Sequence, residues 1–143
     1  MDYETVSAEE FGASLKGVGL NMLVRDVAAQ VQFLTEVFGL KAHRVSADFA
    51  IMEHAGQMFQ LHSDGTYHSN PLLGLLPESG PRGAGLEIQL YDIDPDAAFA
   101  RATAAAARLR CHVLSEPADK PHGLREAYIL CENGYAWVCS RVL

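Results

Sequence analysis

Five polar side chains recur at alternate positions in short apolar stretches. They are Asn21 in GLNMLVR, Gln60 and His62 in MFQLHS, and Glu87 and Gln89 in GLEIQLY. A strand turns every second residue to one face. Asn21, Gln60, Glu87 and Gln89 placed in a dry core would each cost about 1–3 kcal/mol if unmet. A wet cavity removes that cost, so the alternation points to a binding face. On such a face desolvation would raise the pKa of Glu87, which makes it a candidate general base or a partner for a cationic group. His62 offers a second acid–base group. These two are the candidate catalytic residues. Leu23 and Met58 fall in the same strand phase, and His122 and Tyr128 stand where they can close the rim. The blander reading pairs Glu87 with Arg125 or a water.

The elements that position these residues occur twice. Gly17–Arg25 reads as a strand, Asp26 as the cap of a helix over 27–38, and Gly39 as its stop. Strands follow near 41–47, 48–54 and 57–62. After a stretch rich in Gly, Pro and Ser the order returns: a strand from Gly85 to Tyr91, then a helix opened by Asp92-Ile93-Asp94-Pro95 and running to about Leu109. Three more strands follow near 111–116, 124–131 and 134–141. The letters repeat as well: GLNMLVRDV (19–27) matches GLEIQLYDI (85–93), and AGQMFQLHS (55–63) matches NGYAWVCSR (133–141). The chain therefore reads as α+β, one domain of two tandem βαβββ modules forming a cup-shaped mixed sheet with helices outside. Residues 1–16 are a helical extension with Ser7 as cap, 17–63 the first module, 64–83 a linker and 84–143 the second module.

Composition narrows the function classes. The 143 residues carry a formal net charge of −7, with 11 Lys and Arg against 18 Asp and Glu. Such a balance argues against nucleic acid as a partner. No apolar run reaches the length of about 20 residues that spans a bilayer. Cys111, Cys131 and Cys139 lack zinc-type spacing and read as reduced core thiols in the cytoplasm. His43, His54, His68 and His112 read as solvated imidazoles at strand ends or in the linker.

Three segments carry a family resemblance: LVRDVAAQVQFLTEVFGL (23–40), LYDIDPDAAFARATAAAA (90–107) and EPADKPHGLREAYILCENGYAWVCS (116–140). In order and spacing they resemble the vicinal oxygen chelate superfamily, which includes glyoxalases, bleomycin resistance proteins and extradiol dioxygenases. The ending departs from the family's habit by placing Cys131-Glu132-Asn133 where Asp-Pro-Asp is usual. Catalytic members hold a divalent metal at four strand positions, and the resemblance places those at Gly19, Gln60, Gly85 and Val138. Only Gln60 has a donor there, and an amide is a weak ligand. The expectation is thus a member without a metal site and without a cofactor. A shift of two residues would offer Asn21, His62 and Glu87 beside Gln60 as an alternative ligand set.

The reading that follows is a protein that binds a small organic molecule in a metal-free cup, of the drug- or metabolite-sequestering, antibiotic-resistance-like kind. The negative charge suits a cationic ligand. Alternatives are a metal-independent isomerase or lyase using Glu87 or His62, and a metal-dependent glyoxalase or dioxygenase. The resemblance implies a homodimer, with the apolar segment PLLGLL (71–76) as a contact patch.

Overall fold

The structure is a computed structural model and describes residues 1–66 and 70–143. His68 lies outside the described residues. The chain is an α+β fold of two βαβββ modules, each with a mixed four-stranded sheet. After a short helix, α1 (Ala8–Ser14), the first module comprises β1 (Asn21–Val24), α2 (Val27–Phe38), β2 (Lys41–His43), β3 (Phe49–His54) and β4 (Gln57–Ser63). The second comprises β5 (Glu87–Tyr91), α3 (Pro95–Ala104), a short α4 (Ala106–Leu109), β6 (His112–Asp119), β7 (Leu124–Leu130) and β8 (Ala136–Val142). The strand orders are β1-β4-β3-β2 and β5-β8-β7-β6, with the first and last strands of each module parallel.

Local chemistry sets the helix ends. Ser7 and Glu10 cap α1 reciprocally, Ser7 Oγ accepting from the Glu10 amide at 3.1 Å. Asp26 accepts from the Ala29 amide at 3.0 Å, and Gly39 closes α2 in the left-handed conformation at φ 71°. In the second module the cap is Asp94, followed by Pro95 in the first turn. Asp92, the residue matching Asp26 in the sequence repeat, instead adopts a positive φ of 62°. The alanine-rich helix is also broken at Ala105, where φ −111° and ψ 12° divide α3 from α4.

One hydrophobic core unites the helix-facing sides of both sheets. Met22, Val24, Leu61, Leu90, Ala127, Ile129, Trp137 and Cys139 pack there with Phe33, Leu34, Val37 and Ala98 from the helices. Trp137 is fully buried between Phe38 and Phe59, ring centroids 6.5 and 5.7 Å away. Cys111, Cys131 and Cys139 are free and buried. Polar bonds fasten the modules together. The buried Asn133 accepts from the Arg25 amide at 3.1 Å and donates to Gln30 at 3.2 Å. Arg101 donates twice to the Val37 carbonyl, and His54 Nε2 lies 2.7 Å from the Tyr91 carbonyl.

Candidate functional site

Pairing register fixes which side chains share the face of each sheet turned away from its helix. In the first sheet Asn21 pairs with Gln60, Leu23 with His62, Ile51 with Gln60 and Phe49 with His62. In the second, Glu87 pairs with Ala136, Gln89 with Val138, Tyr128 with Val138 and Glu126 with Ser140. The strand phase expected for Asn21, Leu23, Met58, Gln60, His62, Glu87 and Gln89 is the one observed. Each lies on the face opposite the common core.

The second face holds a polar cluster beside a cavity of about 540 Å³. That cavity is lined by Gly83 to Glu87, Leu114, Tyr128, Leu130, Gly134 and Ala136. The Glu87 carboxylate accepts from Gln89 Nε2 at 3.0 Å and lines the cavity with Tyr128, but it is exposed rather than desolvated as expected. Burial, followed by the neighbouring carboxylates of Glu87 and Glu126, pushes the Tyr128 phenol above its ordinary pKa. Glu126 is buried on the same face, with its Oε1 2.6 Å from His122 Nε2, and most of the His122 side chain is exposed. Lys120 Nζ stands 6.0 Å from the Tyr128 ring centroid. Glu87, Gln89, Tyr128 and His122 thus share one face. Arg125 bonds Asp96 and Asp119 instead of Glu87, because alternation turns it to the other side of β7.

The first face is covered. Val6 and Phe11 are buried against Ile51, with Tyr3, Phe49 and Met58 packed around them. Beneath this cover His62 is buried, its ring 5.2 Å from that of Phe49, and desolvation pushes its pKa below the ordinary imidazole value. Leu23 is buried as well, while Asn21 is exposed. A cavity of about 590 Å³ remains between the end of α1, the segment leading to β1, and the start of β4; Met58 and Gln60 line it. His62 and Glu87 therefore stand on different sheets, and no cavity among those described is lined by both. Strand phase assigns a residue to a face but says nothing of whether two faces meet. The cover itself escaped the sequence reading. Its signal was two large apolar residues, Val6 and Phe11, flanking the acidic pair Glu9 and Glu10 and the cap Ser7.

His43 and His54 are engaged rather than merely solvated. His43 Nε2 lies 2.9 Å from Glu53 Oε1, and its ring lies 5.2 Å from that of Tyr3.

The donor chemistry at the four metal positions does not fit a divalent cation. Gly19 and Gln60 line the cavity on the first sheet and Gly85 that on the second, while Val138 is buried without a donor atom. The alternative set is divided too, since Asn21, Gln60 and His62 belong to the first sheet and Glu87, engaged by Gln89, to the second. No group of three or more His, Cys, Asp or Glu side chains among the described residues is placed to hold a metal ion.

No family model and no curated protein matches the chain. Solved structures do. A glyoxalase/bleomycin resistance protein/dioxygenase family enzyme from Burkholderia phytofirmans PsJN aligns with TM-score 0.67 and 17% identity, covering 87% of this chain and 96% of that one. TioX from Micromonospora sp. ML1 aligns with TM-score 0.62 and 21% identity, covering 89% and 100%. A glyoxalase/bleomycin resistance protein/dioxygenase from Nocardioides gives TM-score 0.63 and 21% identity over 94% and 89%. The chain has the glyoxalase/bleomycin resistance/dioxygenase fold, the fold expected of the vicinal oxygen chelate superfamily.

Proposed function

We propose that this protein binds a small, cationic organic molecule on the open face of its second module, without a metal. One observation carries the reading: the Glu87 carboxylate, held by Gln89, stands with Tyr128 at the wall of a cavity whose other walls include Leu114, Leu130 and Ala136. Apolar walls with a few oriented polar groups are the usual make-up of a ligand pocket. The Tyr128 ring already has Lys120 Nζ 6.0 Å from its centroid, so the ligand's charge is met by the Glu87 carboxylate. Gly85 and Ala136 leave room along the strands. Within this reading Glu87, Gln89, Tyr128 and His122 contact the ligand, and sequestration rather than turnover is the outcome. Gln60 and Met58 line the other large cavity, and Met58 shares a smaller one of about 200 Å³ with Gln89.

A homodimer suits the geometry. Each module offers its own face, so a second copy can complete the cup. Leu72 and Leu75 of the linker are exposed and supply apolar contact area. Three buried, unpaired thiols are what a reducing cytoplasm maintains.

The test is a thermal-shift screen with quaternary-ammonium and aromatic-amine compounds. A true ligand at about 100 times its Kd stabilises by about 2.7 kcal/mol. Glu87→Gln should weaken binding without changing the unliganded melting temperature; unchanged affinity would overturn the assignment of the site. An acid–base reading has one observation of its own, the 2.6 Å contact between His122 and the buried Glu126. That contact orients an exposed imidazole on the face that also carries Glu87, so a substrate reaching both would meet an acid and a base of the isomerase or lyase kind. Turnover lost in both Glu87→Gln and His122→Gln, with ligand still bound, would favour it.

A further inference from the structure

The two modules treat equivalent faces differently. In the second the face opens onto a cavity; in the first it lies under residues 3–11. The covering contact is small and separate from the main core: Val6, Phe11 and Ile51 are its buried members. Val6 and Phe11 are the only buried residues in the stretch 1–20. Beyond those two anchors the segment is held at its edge. Glu4 accepts from the Arg44 amide at 2.8 Å, the Arg44 guanidinium donates to the Val6 carbonyl, and Tyr3 rests on His43. Behind it residues 15–19 are all exposed and contain Gly17, at φ 75°, and Gly19. Such a joint moves at little cost to the fold.

The covered surface is itself shaped for a ligand. Ile51, Phe49 and Met58 form an apolar floor, and Gln60 brings an amide to it. The cavity of about 590 Å³ opens beside it, walled by Phe11 and Ser14 of the cover and by Met58 and Gln60 of β4. A molecule entering there meets the flank of the Phe11 anchor directly.

We propose that the first face is a second, latent binding site for an uncharged, predominantly apolar small molecule. Residues 1–15 are a displaceable strap whose Val6 and Phe11 occupy the site until that molecule takes their place. This goes beyond the cationic site on the second module and does not depend on it.

Nile red, an uncharged apolar dye, is the probe. Phe11→Ala weakens the strap, so dye affinity should rise about tenfold or more over the unmodified protein, because the open form becomes more populated. Removal of residues 1–15 should give a similar gain, and a synthetic peptide of residues 1–15 should then compete with the dye. Met58→Glu added to Phe11→Ala should abolish the gain, whereas Glu87→Gln should leave it untouched. Two results overturn the proposal. One is a cooperatively folded Phe11→Ala protein that binds the dye no more tightly than the parent. The other is loss of cooperative folding in both Phe11→Ala and the truncated chain, which would make the strap an integral part of the core.

Discussion

Tyr135 donates its phenol proton to the Leu23 carbonyl across 2.9 Å, tying the residue just before β8 to the middle of β1. The bond is buried and crosses between modules. Tyr135→Phe should therefore loosen the seam without opening a cavity. Arg82 also donates to the Leu23 carbonyl, at 3.3 Å, so the acceptor is not orphaned. The expected loss is about 1 kcal/mol, read from urea unfolding.

The same residue gives an alkaline signature. Burial pushes the Tyr135 phenol above its ordinary pKa, outweighing the neighbouring Arg82 charge. The folded state thus holds this proton more tightly than the unfolded chain. Its contribution is complete below the unfolded value of about 10 and is lost as pH rises through the folded one. Stability should fall more steeply above about pH 10 in the parent than in Tyr135→Phe.

His62 works in the opposite direction. Desolvation lowers its pKa in the folded protein, so the unfolded chain binds the proton first. The resulting stability is present above about pH 6.5 and lost as pH falls through the folded value. The melting temperature should drop between about pH 7 and about pH 5, and His62→Gln should flatten that slope. Equal slopes in the two proteins would show that other groups set the acid limb.

Gly134 makes a stability prediction from backbone alone. It turns β7 into β8 at φ 79°, and a Cβ there would come within 2.5 Å of Pro81 Cα. Positive φ and overpacking act together, so Gly134→Ala should cost about 2–4 kcal/mol in chemical denaturation.

What the sequence discloses follows from the range of the physics. Caps such as Ser7, Asp26 and Gly39 act within one turn, and strand phase acts residue by residue, so both were legible. The doubled order of elements then specified the fold. The break at Ala105 was not legible, because nothing in an alanine run marks where its hydrogen bonding changes. Nor was the separation of His62 from Glu87. Placing them in one cup required knowing how two sheets are set against each other and that Phe11, forty residues away from Ile51, would cover one of them. Such contacts depend on tertiary packing that local pattern does not encode.

Tyr128 reports on the second face directly. Its phenol is raised first by burial, then by the neighbouring carboxylates of Glu87 and Glu126. An ultraviolet difference titration, with Tyr128→Phe subtracted, should show this tyrosine ionising later than a free phenol, whose pKa is about 10. Glu87→Gln removes a charge but leaves the burial. The titration should then move part of the way back and stop short of the free value. A full return would mean that burial contributes nothing, and no movement would mean that the Glu87 carboxylate does not act on Tyr128. A cationic ligand seated beside Glu87 favours the phenolate by Coulomb attraction, so saturation should likewise lower the Tyr128 pKa in the parent. The ligand's contribution should shrink in Glu87→Gln, where its affinity is reduced.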